Sequence, residues 1–404
     1  METRVRTNVI VNLIRTITLT ILSFITFPFI CRILGDQYLG IYTWANTFVY
    51  YFLIIAKISI PNIAVRECVK VKDDKVELAK KVKLFFIIQG ITTILSFISL
   101  LVIVFSIPSL RNMNVEAGID MGNLIFLLSI NFISGAFSFE WVYIALEKHM
   151  YMAIRSIIIM MISALLIFSI VRYPEHVYIY SIFTLSVTVL TVISNVIVLP
   201  KYVKFKGTGI ANFKPYIKPI IILFLISLIL TLYNETDIII LGIIDKNKAQ
   251  VGSQSVALKG IEILITIITS LSAVFMPRAT DLLNKGEVKE FNKLAKFSVN
   301  ICFFIAIPAI ATMASMATSI VGLIGGIGIN QPNELEIYQQ FYQNNEVLFG
   351  LSNINNANYQ YANSWLILVI LLPMILTYSI GDIIYSQILI PKKKEKTLIF
   401  YTFF

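Results

Sequence analysis

Long apolar runs separated by short polar segments cover most of the chain, at about 9–30, 38–60, 82–107, 122–146, 150–171, 177–199, 219–244, 250–276, 297–324 and 363–390. Each is near the length that crosses a hydrocarbon core as a helix, and the runs continue where a strand would alternate. Lipid offers a backbone no hydrogen-bond partner, so spans of this kind must satisfy their amides internally, as helices do. The pattern predicts an all-α integral membrane protein with about ten complete transmembrane helices. The first run, from near Val9 to Phe29, is too long for a signal-peptide core and reads as a permanent helix. A further apolar stretch begins at Thr397 and stops at Phe404. As a helix it would reach about 12 Å into a core of roughly 30 Å, so it is not expected to cross.

Composition agrees: 57% of the residues are apolar and 14% charged, against roughly one-quarter charged in soluble domains. The net charge of +10 does not point to nucleic acid, because the basic residues sit in short loops between apolar runs. With the N-terminus inside, 24 Lys and Arg fall in inner segments and 5 in outer ones. That asymmetry predicts a multi-pass protein of the cytoplasmic membrane with a cytoplasmic N-terminus. The inner segment 62–81 intersperses Val65, Cys68, Val69, Val76 and Ala79 with charges, the pattern of a helix lying on an anionic leaflet, with a solvated linker as the alternative. The outer segment 325–362 is rich in Asn and Gln, lacks Lys and Arg, and reads as an exposed polar insertion. Cys31, Cys68 and Cys302 give no disulfide framework. His149 and His176 flank different helices and cannot build a His-rich metal site. The glycines after Gly322 follow an apolar helix and not a strand, which favours a helix end over a phosphate loop. Nothing in the sequence calls for a cofactor.

Nine ionisable residues fall inside predicted spans: Arg15, Lys57, Glu140, Arg155, Glu235, Asp237, Lys259, Glu262 and Asp382. Each costs roughly 2.5–3.5 kcal/mol near a helix centre, so the set requires partners or water. Lys259 and Glu262 are spaced i, i+3 on one helical face and should pair. Lys57 and Arg155 lie near helix ends, where a snorkelling side chain is an equal alternative to a cavity cation. Arg15 belongs to a polar stripe on the first helix with Asn8, Asn12, Ser23 and Thr26, which places it against water or an anion. Glu235 and Asp237 point to different faces and do not form an acid/base pair. The substrate-binding candidates are thus Arg15, Lys57 and Arg155, and the cavity or ion-pair candidates Glu140, Asp237, Lys259, Glu262 and Asp382.

A faint repeat is present: Leu34-Gly35, Leu39-Gly40 and Leu78-Ala79-Lys80 recur in order as Leu241-Gly242, Val251-Gly252 and Leu294-Ala295-Lys296. It suggests two lobes, 1–215 and 216–404, the second apparently truncated. Several motifs carry a family resemblance: Pro28-Phe29, Arg32-Ile33-Leu34-Gly35, Gly40-Ile41-Tyr42, Tyr51-Phe52, Arg66-Glu67, Glu140-Trp141, Leu146-Glu147, Tyr151, Arg155, Asp237, Leu241-Gly242, Val251-Gly252, Pro277-Arg278 and Gln387 to Pro391. Through them nearly the whole chain resembles the polysaccharide and O-antigen flippases of the multidrug/oligosaccharidyl-lipid/polysaccharide exporter superfamily. The resemblance implies a two-lobed transporter, not an enzyme, that exports an undecaprenyl-pyrophosphate-linked oligosaccharide for capsule or O-antigen synthesis by alternating access. Its implied partners are that lipid-linked oligosaccharide, membrane lipid, and the polymerase and glycosyltransferases of the same synthesis. Ser253 and Gln254 depart from the family, which often has Tyr after Val-Gly. A multidrug cation antiporter would be expected to carry an acid in the first lobe where Arg15 stands. A polymerase or ligase would need catalytic groups in large outer loops. A nonfunctional truncated product is the remaining alternative.

Overall fold

The computed structural model describes residues 2–107, 118–205, 209–325, 361 and 364–389. The expected outer insertion, apart from its ends at Gly325 and Tyr361, lies outside the described residues, as do the lysine cluster 392–396 and the stretch 397–404. The described residues are helical, with no strand among them. Eight of their helices are long and apolar enough to cross a membrane, or nine if the pair Ser364–Leu371 and Met374–Ile383, bent by 40°, is one span. The protein is an all-α integral membrane protein.

The first helix, α1 (Glu2–Lys57), unites two of the expected spans and is broken at Gly35, whose φ of 71° and ψ of 177° are non-helical. Then follow α2 (Ile60–Val69), α3 (Lys75–Ser106), α4 (Met121–Leu128), α5 (Phe132–Phe137), α6 (Glu140–Ala145), α7 (His149–Ile170), α8 (Val177–Val198) and α9 (Ile217–Ile244). The span expected at 122–146 is therefore assembled from α4, α5 and α6. After it come α10 (Ala249–Asn284), α11 (Val288–Ser315), α12 (Ala317–Gly325), α13 (Ser364–Leu371), α14 (Met374–Ile383) and a π-helical turn at Ile384–Leu389. The chain forms two compact units, Met1–Leu34 with Ile41–Lys248, and Gly35–Gly40 with Ala249–Phe404. The expected lobe boundary at 215/216 precedes α9, which here belongs to the first unit.

In the first unit the helices are tied by side chains bonding to facing backbone. Ser96 Oγ donates to Phe52 O and Thr92 Oγ1 to Ala56 O, both at 2.6 Å, joining α3 to α1. Small polar residues serve well here because they let membrane helices approach closely. Asp74 caps α3 by accepting from Val76 N and Glu77 N. The apolar side of α2 (Ile60, Ile63, Ala64 and Cys68) packs against Leu78, Ala79, Val82 and Phe85 of α3 and against Trp141, Val142 and Tyr143 of α6. The segment expected to lie on the leaflet is thus helical, but Cys68 and Ala79 are buried in protein, leaving only Val69 and Val76 exposed. Burial within the bundle removes this apolar surface from water, and of the charges beside it Glu67 pairs with Lys81 at 3.2 Å. Ile14, Ile17, Ile21 and Ile25 form an exposed stripe along α1, as a lipid-facing helix requires.

Trp44 of α1 is buried against α9, where its Nε1 donates to Ile239 O at 3.2 Å. Gly242 of α9 lies beneath the indole, and a Cβ there would enter the ring. Lys248 follows α9, donates to Gly242 O and Asp245 O, and stands over the Trp44 ring, which caps the helix C-terminus with a cation. Burial pushes the Lys248 pKa down against the opposing pull of Asp245. In the second unit α10 packs along α11, α13 and α14. A Cβ at Gly252 of α10 would meet the backbone of Asp36, and one at Gly325 the ring of Tyr361. Cys31, Cys68 and Cys302 are buried thiols.

Candidate functional site

The interruption between α5 and α6 generates the polar centre of the first unit. Phe139 adopts a left-handed conformation with φ 43°, so a new helix starts at Glu140 and sets its carboxylate at the break. Asn195 of α8 inserts there, fully buried, and its Nδ2 donates to Ser138 O at 2.5 Å. Its Oδ1 accepts from Arg155 Nη1 of α7. Tyr143 OH donates to Asn195 O and Tyr151 OH to Ser194 O at 3.0 Å, fixing α8 against α6 and α7. The Arg155 guanidinium lies over the Tyr151 ring, 5.6 Å from its centroid. A buried amide flanked by two tyrosines thereby orients a buried arginine.

Arg155 presents Nη2 to Glu140 Oε1 at 3.3 Å and to Ser156 Oγ at 3.3 Å. The same Glu140 Oε1 accepts from Arg15 Nη2 at 2.9 Å. Lys57, the last residue of α1, stands within electrostatic reach of Glu140, and His149 within reach of Arg15. Two of the candidate cations therefore bond one candidate carboxylate, and the third lies within its electrostatic reach. Arg15 and Arg155 against Glu140 leave a surplus of one positive charge at this centre, with Lys57 a further basic residue within reach, an arrangement suited to an anion. The cations are not equally accessible: the Arg155 side chain is 6% exposed, whereas Arg15 is 24% and Glu140 34% exposed. Arg155 is enclosed and does not reach the helix end as a snorkelling arginine would.

The remaining candidates lie elsewhere. Asp237 is on α9, where its Oδ1 accepts from Ile238 N. It is near a polar seam in which Thr47 donates to Glu235 at 3.3 Å and Tyr51 bonds Thr236 at 3.0 Å. In the second unit Lys259 and Glu262 pair with each other at 2.8 Å, as their i, i+3 spacing suggests. Asp382 is half-buried on α14. The sequence reading missed Asn195. Its signal was available, since an amide within the apolar run Val177–Val198 requires hydrogen-bond partners in lipid.

The chain is similar to a structure described as the inward-facing conformation of a multidrug resistance MATE family transporter of the MOP superfamily, with a TM-score of 0.50, 13% identity, and 93% of this chain and 84% of that chain covered. At this identity the likeness is one of fold. The polysaccharide biosynthesis protein family matches residues 5–283, and the chain belongs to that family. No curated protein matches its sequence.

Proposed function

We propose that this chain is a flippase that carries a polyprenyl-pyrophosphate-linked oligosaccharide outward across the cytoplasmic membrane by alternating access, for capsule or O-antigen synthesis. The observation that carries this reading is the surplus of cations around Glu140 in a member of a polysaccharide biosynthesis family. A pyrophosphate headgroup needs guanidinium or ammonium groups where water is scarce, and Arg15 is more accessible than Arg155. Lys57 adds field at the same centre, and Arg155 holds Glu140 from the buried side of the pair. The same surplus charge disfavours a cationic drug as cargo. Transport of this kind forms and breaks no covalent bond, so no catalytic residue is invoked. The glycosyltransferases that build the cargo and the polymerase that consumes it are the expected partners in the membrane.

The test is expression in a flippase-null strain with surface polysaccharide as the readout. Arg15→Ala should abolish any export the chain supports while leaving membrane insertion intact, and Arg15→Lys should retain part of it. Export at the wild-type level in Arg15→Ala would remove Arg15 from the site.

A further inference from the structure

The two arginines that share Glu140 Oε1 differ in a way that bears on how the site is emptied and filled. Arg155 is enclosed and held by Asn195, so its bond to Glu140 belongs to the frame of the bundle. Arg15 comes from a different helix, retains accessible surface, and binds the carboxylate with its Nη2. With no cargo present, Glu140 neutralises Arg15, which would otherwise stand in the bundle as an uncompensated cation. An arriving pyrophosphate offers several anionic oxygens and can engage a guanidinium in two parallel bonds. Its approach costs Glu140 one of two cationic contacts, and the other keeps the carboxylate compensated.

We propose that Glu140 is a built-in counter-anion that the substrate's pyrophosphate displaces from Arg15, and that Arg155 and Asn195 retain it while the substrate is bound. The inference rests on the proposed contact between Arg15 and the pyrophosphate. It makes Glu140 a determinant of anion affinity: the carboxylate weakens binding and re-forms its pair when the cargo leaves, which favours release.

The experiment measures binding of polyprenyl pyrophosphate, with uncharged polyprenol as control, to the full chain in nanodiscs of zwitterionic lipid. Glu140→Gln keeps the side-chain shape and removes the competing charge. It should tighten pyrophosphate binding by about fivefold, the upper range for a partly exposed ion pair, and leave polyprenol binding unchanged. Glu140→Asp, which withdraws the carboxylate by one methylene and serves if the first variant does not fold, should give a smaller gain in the same direction. Arg15→Ala should weaken binding, and Arg15→Ala with Glu140→Gln should show no gain over Arg15→Ala. Unchanged or weaker binding in Glu140→Gln, or a gain that persists without Arg15, would overturn the displacement while leaving Arg15 as an anion contact. Wild-type binding in Arg15→Ala would overturn the contact itself, and the displacement with it.

Discussion

Asn195 joins groups that no other residue in the centre connects. One side-chain amide satisfies Ser138 O at the α5–α6 break and orients the Arg155 guanidinium. Replacing it with leucine, of similar volume, would leave a buried guanidinium short of an acceptor and a half-buried carbonyl short of a donor. Asn195→Leu should therefore cost about 3 kcal/mol of stability, read as a lowered unfolding midpoint in detergent, with loss of any export following from the misplaced Arg155. A midpoint equal to wild type would show the amide to be dispensable. The residue scale is also where the sequence was least informative. Charges in apolar runs identified Arg15, Glu140 and Arg155 as anomalies, because the cost of charge in lipid is a property of each position alone. Their mutual bonding was not legible, since Arg15 and Glu140 are separated by 125 positions and only the fold brings them together. For Arg155 the sequence leaves snorkelling and a cavity role as equal readings, because distance from a helix end says nothing about which side faces the bundle.

At the scale of elements, run length gave the spans and hydropathy could not give their breaks. The interval 122–146 reads as one helix, yet positive φ at Phe139 divides it and thereby creates the site. Phenylalanine carries no sequence signal for that conformation; tertiary packing imposes it. The motif glycines of the family resemblance are better explained. Gly242 is required by the Trp44 indole seated on α9. Gly242→Val should lower the unfolding midpoint by the equivalent of about 1–3 kcal/mol through overpacking. Combined with Trp44→Ala, the same change should cost markedly less, because the space it needs is then open. Equal costs in the two backgrounds, measured as a double-mutant cycle, would show that the indole is not what excludes a side chain there.

For the whole molecule, orientation in the membrane decides the direction of transport, and it follows from charge and not from the fold. Lys and Arg in short loops are retained on the cytoplasmic side during insertion. The division of 24 inner against 5 outer basic residues predicts that the N-terminus and the segments 61–81, 200–218 and 277–296 lie inside. Cargo assembled on the cytoplasmic face would then load from the side on which Lys57 ends α1. Reporter fusions after Lys204 and after Glu175 test this, because the two positions lie on opposite sides of α8. A periplasmic phosphatase should be inactive at Lys204 and active at Glu175, and a cytoplasmic fluorescent reporter should show the reverse. Activity in the opposite sense at both positions would invert the topology and, with it, the proposed outward direction of transport.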